Sequence, residues 1–105
     1  LAYFHVPAGM DGMDLVEVHA EVFTAPVGST ATFEISLNGA STQMLSTNIT
    51  IDAGETGSDS AATAAVINAS TDDVDTNDLI QINCTQVGSS TAGSGLLVTM
   101  GFRIP

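Results

Sequence analysis

Apolar side chains fall on alternate positions along most of this chain, and clusters of Gly, Pro, Asn and Ser interrupt the alternation. A period of two predicts β-strands with one face turned to a core. Residues 1–6 (LAYFHV) predict a first strand, stopped at Pro7. Residues 14–24 predict a second, with Val16, Val18, Ala20 and Val22 on one face and Glu17, His19 and Glu21 on the other. Ala25-Pro26-Val27-Gly28 predicts a turn, because Pro presets its φ and Gly tolerates a positive one. Residues 30–38 predict a third strand with Phe33, Ile35 and Leu37 on one face and Thr32, Glu34 and Ser36 on the other. Asn38-Gly39 then suits a tight reversal.

Short strands are predicted around Thr42–Ser46 and Asn48–Asp52, followed by a long small-residue loop through AGETGSDSAATAA. Residues 64–68 (AAVIN) fit either a short strand or a helical turn, and ASTDDVDTND is an acidic connection. Residues 79–87 predict a strand with Ile80, Ile82 and Cys84 inward. After a second loop, GSSTAGSG, residues 96–104 predict the last strand, with Leu96, Val98, Met100, Phe102 and Ile104 on one face. Seven or eight strands with frequent turns and no convincing helix predict an all-β fold, an antiparallel two-sheet β-sandwich with jelly-roll-like connectivity. Residues 1–105 are expected to form one domain, since this length supports one core and not two. A chain opening at Leu1 is expected to be processed, or to be part of a longer protein.

Charge narrows the function classes. Twelve carboxylates face one cation, Arg103, for a net charge of −11. Such a surface repels phosphate backbones and anionic lipid, which argues against nucleic-acid and membrane-surface partners. No apolar run approaches the ~18 residues needed to cross a bilayer as a helix. Mutual repulsion keeps a chain like this soluble, and salty surroundings would relieve it. The single cysteine, Cys84, forms no internal disulfide and is expected to act as a small core hydrophobe.

Three patterns invite a chemical reading. Asp73, Asp75 and Asn77 match the opening of a calcium loop. The sixth position is Asp78 where Gly is required, and the twelfth is Cys84 where Glu is required. A solvated acidic turn is therefore favoured, with calcium held between strand ends as the alternative and no other cofactor expected. Glu17, His19 and Glu21 form a polar row that could bind a metal or move protons, although wet antiparallel faces produce such rows routinely. Arg103 is expected to pair with a carboxylate on a neighbouring strand or subunit. These four, with the aromatic residues Tyr3 and Phe23 on predicted exposed positions, are the candidate contact residues. No nucleophile pattern of the G-x-S-x-G kind is present, and no enzyme is expected. Four Phe, one Tyr and no Trp make a poor sugar-stacking platform, so a stand-alone carbohydrate-binding module ranks lower. Asn48, Asn68 and Asn83 begin glycosylation triplets, which matter only in a host that modifies surface proteins.

The segments FHVPAGM, LVEVHAEVFTAPVGSTATFEISLNG, LSTNITIDAGETGSDSAATAAVI and DLIQINCTQVGSSTAGSGLLVTMGFR follow one another along nearly the whole chain. Their order, with the TAPxGS turn, the LSTxxTIDAGE segment, the TAA tract and the closing QVGSSTAGSGLLVT, resembles small β-sandwich modules of tailed-phage tail fibres, head fibres and virion-associated proteins. The resemblance implies a non-catalytic component on the exterior of a virion. It implies a homo-oligomer, commonly a trimer, touching other virion proteins and a host-surface glycan or protein. It supplies no catalytic residue. The near absence of Lys and Arg departs from the pattern and puts any shared receptor in doubt. A subunit of a prokaryotic surface appendage, joined by strand exchange, is the remaining alternative.

Overall fold

The computed structural model describes residues 2–39, 42–90 and 92–105. Leu1, at the head of the predicted first strand, and Thr91, in the predicted GSSTAGSG loop, lie outside the described residues. The elements in chain order are β1 (Ala2–His5), β2 (Asp14–Glu21), β3 (Ala31–Leu37), β4 (Leu45–Thr47), β5 (Ile49–Ile51), β6 (Val66–Ile67), β7 (Leu79–Gln86) and β8 (Leu97–Arg103). Among the described residues two short 3-10 turns, Ala8–Met10 and Ser58–Ser60, interrupt this all-β architecture.

Every strand pairing is antiparallel. One layer is the sheet β1-β7-β3-β5, and the other is built from the pairs β2-β8 and β4-β6. Odd strands thus occupy one layer and even strands the other. The connections β1 to β2, β2 to β3, β5 to β6, β6 to β7 and β7 to β8 pass from one layer to the other. The core lies between the layers. Ile35, Ile49, Ile51 and Ile80 enter it from the four-stranded sheet, while Leu15, Ala20 and Val22 enter from β2 and its continuation. The chain from Thr42 to Ile51 runs back along β3. Met44 N–H donates to Ile35 C=O at 2.8 Å, and Ile51 faces Ala31. Between those contacts β4 leaves the sheet to pair with β6.

Strict alternation fails at four places. Register shifts between Leu15 and Glu17, so β2 carries a β-bulge at Val16. The bulge adds one residue and reverses the facing before it. Leu15 is buried and Val16, expected inside, is 43% exposed. A second shift, between Thr32 and Phe33, lies at the far end of β7, where Phe33 faces Cys84 and Thr32 faces Gln86. Cys84, also expected inside, is exposed, with its thiol 3.2 Å from Gln86 C=O. Leu96 and Ile104, expected on the core face of the last strand, are exposed because they flank β8 beyond the sheet. Ser36, expected on the wet face of β3, is fully buried and its hydroxyl has no partner among the described residues. The second strand stops at Glu21, short of the expected residue 24. The fourth begins at Leu45, because residues 42–44 belong to the hairpin with β3.

Asn38 is the hinge of that hairpin. Its backbone takes φ +54, which Asn tolerates better than most residues. Its side chain accepts from Leu79 N–H and donates to Asp78, both at 2.9 Å. One residue therefore ties the β3 turn to the start of β7. At the opposite end Gly95, at φ +74, lets Phe23 lie against the chain. A Cβ at that glycine would stand 2.6 Å from the Phe23 Cβ.

Candidate functional site

The polar row of β2 borders an open cleft of about 560 Å³. Glu17, His19, Thr99 and Thr50 line it together with Ser58, Asp59 and Ala61 from the loop after β5. Ser58 holds the loop in place. Ala20 N–H donates to the Ser58 hydroxyl oxygen at 2.9 Å, which supplies the partner that a strand edge otherwise lacks. The same oxygen lies 3.1 Å from His19 Nδ1, and His19 Nε2 lies 3.5 Å from Glu21 Oε1. With the proton on Nε2, these contacts form a chain from Ser58 through His19 to Glu21.

The order Ser-His-Glu resembles a nucleophile relay, but its geometry suits a clip. The Ser58 oxygen already accepts a backbone amide, and the His19–Glu21 contact is at the limit of a hydrogen bond. Glu21 is 60% exposed, so water competes for its charge. The arrangement can anchor a loop to a strand. Sequence reasoning found His19, Glu17 and Glu21 and missed Ser58, which sits in a stretch without periodicity.

The acidic connection is ordered by its own side chains. The Asp78 carboxylate accepts from Asp75 N–H at 2.8 Å, and Asn77 turns the chain with φ +70. Asp11 reaches across from the loop after β1 to accept from both the Thr76 N–H at 2.7 Å and its hydroxyl at 3.0 Å. The backbone N–H of Thr76, then its hydroxyl, holds the Asp11 carboxyl below the usual carboxylate range. Of the expected trio Asp73, Asp75 and Asn77, Asp73 also takes part in a second acidic group. It converges with Asp14 and Asp72, with one oxygen from each within 4.8 Å of the others. The bridge between Asp14 and Asp73 brings them there, with Leu15 N–H donating to Asp72 C=O at 2.8 Å. This partly exposed acidic group forms where two backbone segments pair.

The third feature is apolar. Between β1 and β8 the two layers gape, and a groove of about 420 Å³ is lined by Phe4, Met10, Met13, Val98, Met100 and Phe102. The three that β8 contributes point toward the core yet stay only half-buried, because no described strand closes that side. Among the described residues β1 pairs only with β7 and β8 only with β2. Both layers therefore end here in a free edge.

Charge is distributed unevenly around this opening. All twelve carboxylates lie between Asp11 and Asp78, and none lies in β1, β7 or β8. Arg103 stands on β8 opposite Asp14, and no ion pair to it forms among the described residues. Tyr3 is 56% exposed on the outer edge of β1, and Phe23 is 91% exposed after β2. They belong to separate surfaces, with Phe23 bordering a recess formed by Glu21, Thr56, Gly95 and Leu97. Sequence reasoning named Arg103 but not the groove. Its residues come from three separate segments, and the spacing of Met10, Met13 and Met100 gives no hint that they meet.

No protein-family model, curated protein or solved structure matches this chain.

Proposed function

We propose that this protein is a non-catalytic assembly module, a β-sandwich built into the exterior of a virus particle and able to meet a host surface. The observation that carries the assembly reading is the open side of the sandwich. Two free strand edges, on strands β1 and β8 that carry no carboxylate themselves, flank an apolar groove. Native sheets normally cover, charge or twist such edges. An edge left apolar and free of like charge is suited to another polypeptide. The virion setting rests on the resemblance of the ordered segments from FHVPAGM to the closing LLVTMGFR. The crossed two-layer architecture suits that role, since a rigid slab transmits position while loops at its ends vary.

Electron microscopy with a gold-labelled antibody against the chain tests the setting. Label is expected along the outside of virus particles from the same source. Label on cell envelopes alone would reassign the module to a prokaryotic surface appendage. Native mass spectrometry at about 10–100 μM tests assembly, and a strict monomer in high salt would overturn it.

A further inference from the structure

We infer that the open side of the sandwich is a self-complementary interface, in which β8 pairs antiparallel with β8 of a second copy. This rests on the assembly reading and specifies its geometry. A two-fold axis normal to the layers would bring the two open sides face to face. The β2-β8 pair would continue into its copy, and each apolar groove would be closed by the other. Full overlap of the seven-residue strand Leu97–Arg103 puts its middle residue, Met100, at the axis. It also sets Arg103 beside Leu97 of the second copy.

Charge then selects this occupant. Leu97 is paired with Glu21 on β2, so Glu21 of the second copy stands two strands away from Arg103 on the same outer face. Neighbouring strands are about 4.8 Å apart, so that gap is ~10 Å between backbones, within the combined reach of an arginine and a glutamate. The Arg103 stem would lie across Leu97, which is 62% exposed in the single chain. Its guanidinium, unpaired among the described residues, would meet Glu21, and the symmetry repeats the contact. Two copies of a chain with net charge −11 repel each other where their carboxylates meet. The edge strands β1 and β8 carry no carboxylate, so their shared side is where like molecules can approach.

Charge reversal tests the pairing without touching the core, because Arg103 and Glu21 are both exposed. Sedimentation equilibrium in about 0.15 M salt is expected to show a dimer, or an even-numbered assembly built from it. Arg103→Glu should weaken association by about tenfold or more, since it replaces two attractive contacts by two repulsive ones. The double variant Arg103→Glu/Glu21→Arg should restore it. Circular dichroism melting of each variant confirms that the fold is kept. In a Cys84→Ser background, Met100→Cys should give a disulfide-linked dimer on mild oxidation. An assembly indifferent to Arg103→Glu, a trimer, or failure of the double variant to recover would overturn the β8 pairing while leaving the assembly reading in place. A monomer under all conditions would overturn both.

Discussion

Single side chains hold this molecule's loops to its strands. Ser58 gives Ala20 an acceptor, Asn38 joins two chain reversals, and Asp11 collects both donors of Thr76. The last of these sets a pH dependence. The folded Asp11 carboxyl titrates below its ordinary value of 3.8, so its contribution is present above the unfolded value and is lost as pH falls through the folded one. Asp11→Ala should therefore lower the melting temperature at pH 7. The gap from the parent should shrink as pH drops below the ordinary carboxylate range. A gap that stays constant down to about pH 2 would mean that the carboxylate's charge contributes nothing to the contact. Which loop residues anchor was hidden in the sequence, because Ser58 is one of two serines in a tract without periodicity. Asp11 and Thr76 are far apart along the chain, and only folding brings them together.

At the level of elements, alternation located seven of the eight described strands and left the eighth, β6, open between a strand and a helical turn, and it did not fix every facing. The core side of β3 was legible because Phe33, Ile35 and Leu37 fall on one parity without interruption. In β2 the bulge at Val16 reversed the parity of the residues before it, and no turn residue marked the change. The consequence is measurable. Leu15→Ala should cost about 2–5 kcal/mol of unfolding free energy, as expected of a buried leucine. Val16→Ala should cost only about 0.5 kcal/mol or less, as at an exposed site. Chemical denaturation of both variants decides this, and a larger loss at Val16 than at Leu15 would contradict the bulge. Cys84 illustrates the same limit at the other end of a strand. Its parity pointed inward, but it lies near the end of β7, where the β3-β7 register shifts.

At the scale of the whole molecule, twelve carboxylates and one guanidinium make self-repulsion the leading electrostatic effect. Asp14, Asp72 and Asp73 concentrate it where β2 meets the acidic connection. Salt shortens the range of this repulsion, to about 10 Å at 0.1 M and 3 Å at 1 M. Raising sodium chloride across that range at pH 7 should raise the melting temperature. A flat or falling trend would mean that attractive pairs outweigh the repulsion. By itself the sequence determined the strand content, the two-layer architecture, the sign of the surface and the polar row of β2. All of these follow from residue type and local spacing. Only the tertiary structure decided the bulge facing, the Ser58 anchor, the Asp14-Asp72-Asp73 convergence and the unclosed side between β1 and β8. Each of those depends on which distant segments become neighbours, and strand pairing across the sandwich leaves no periodic trace in the chain.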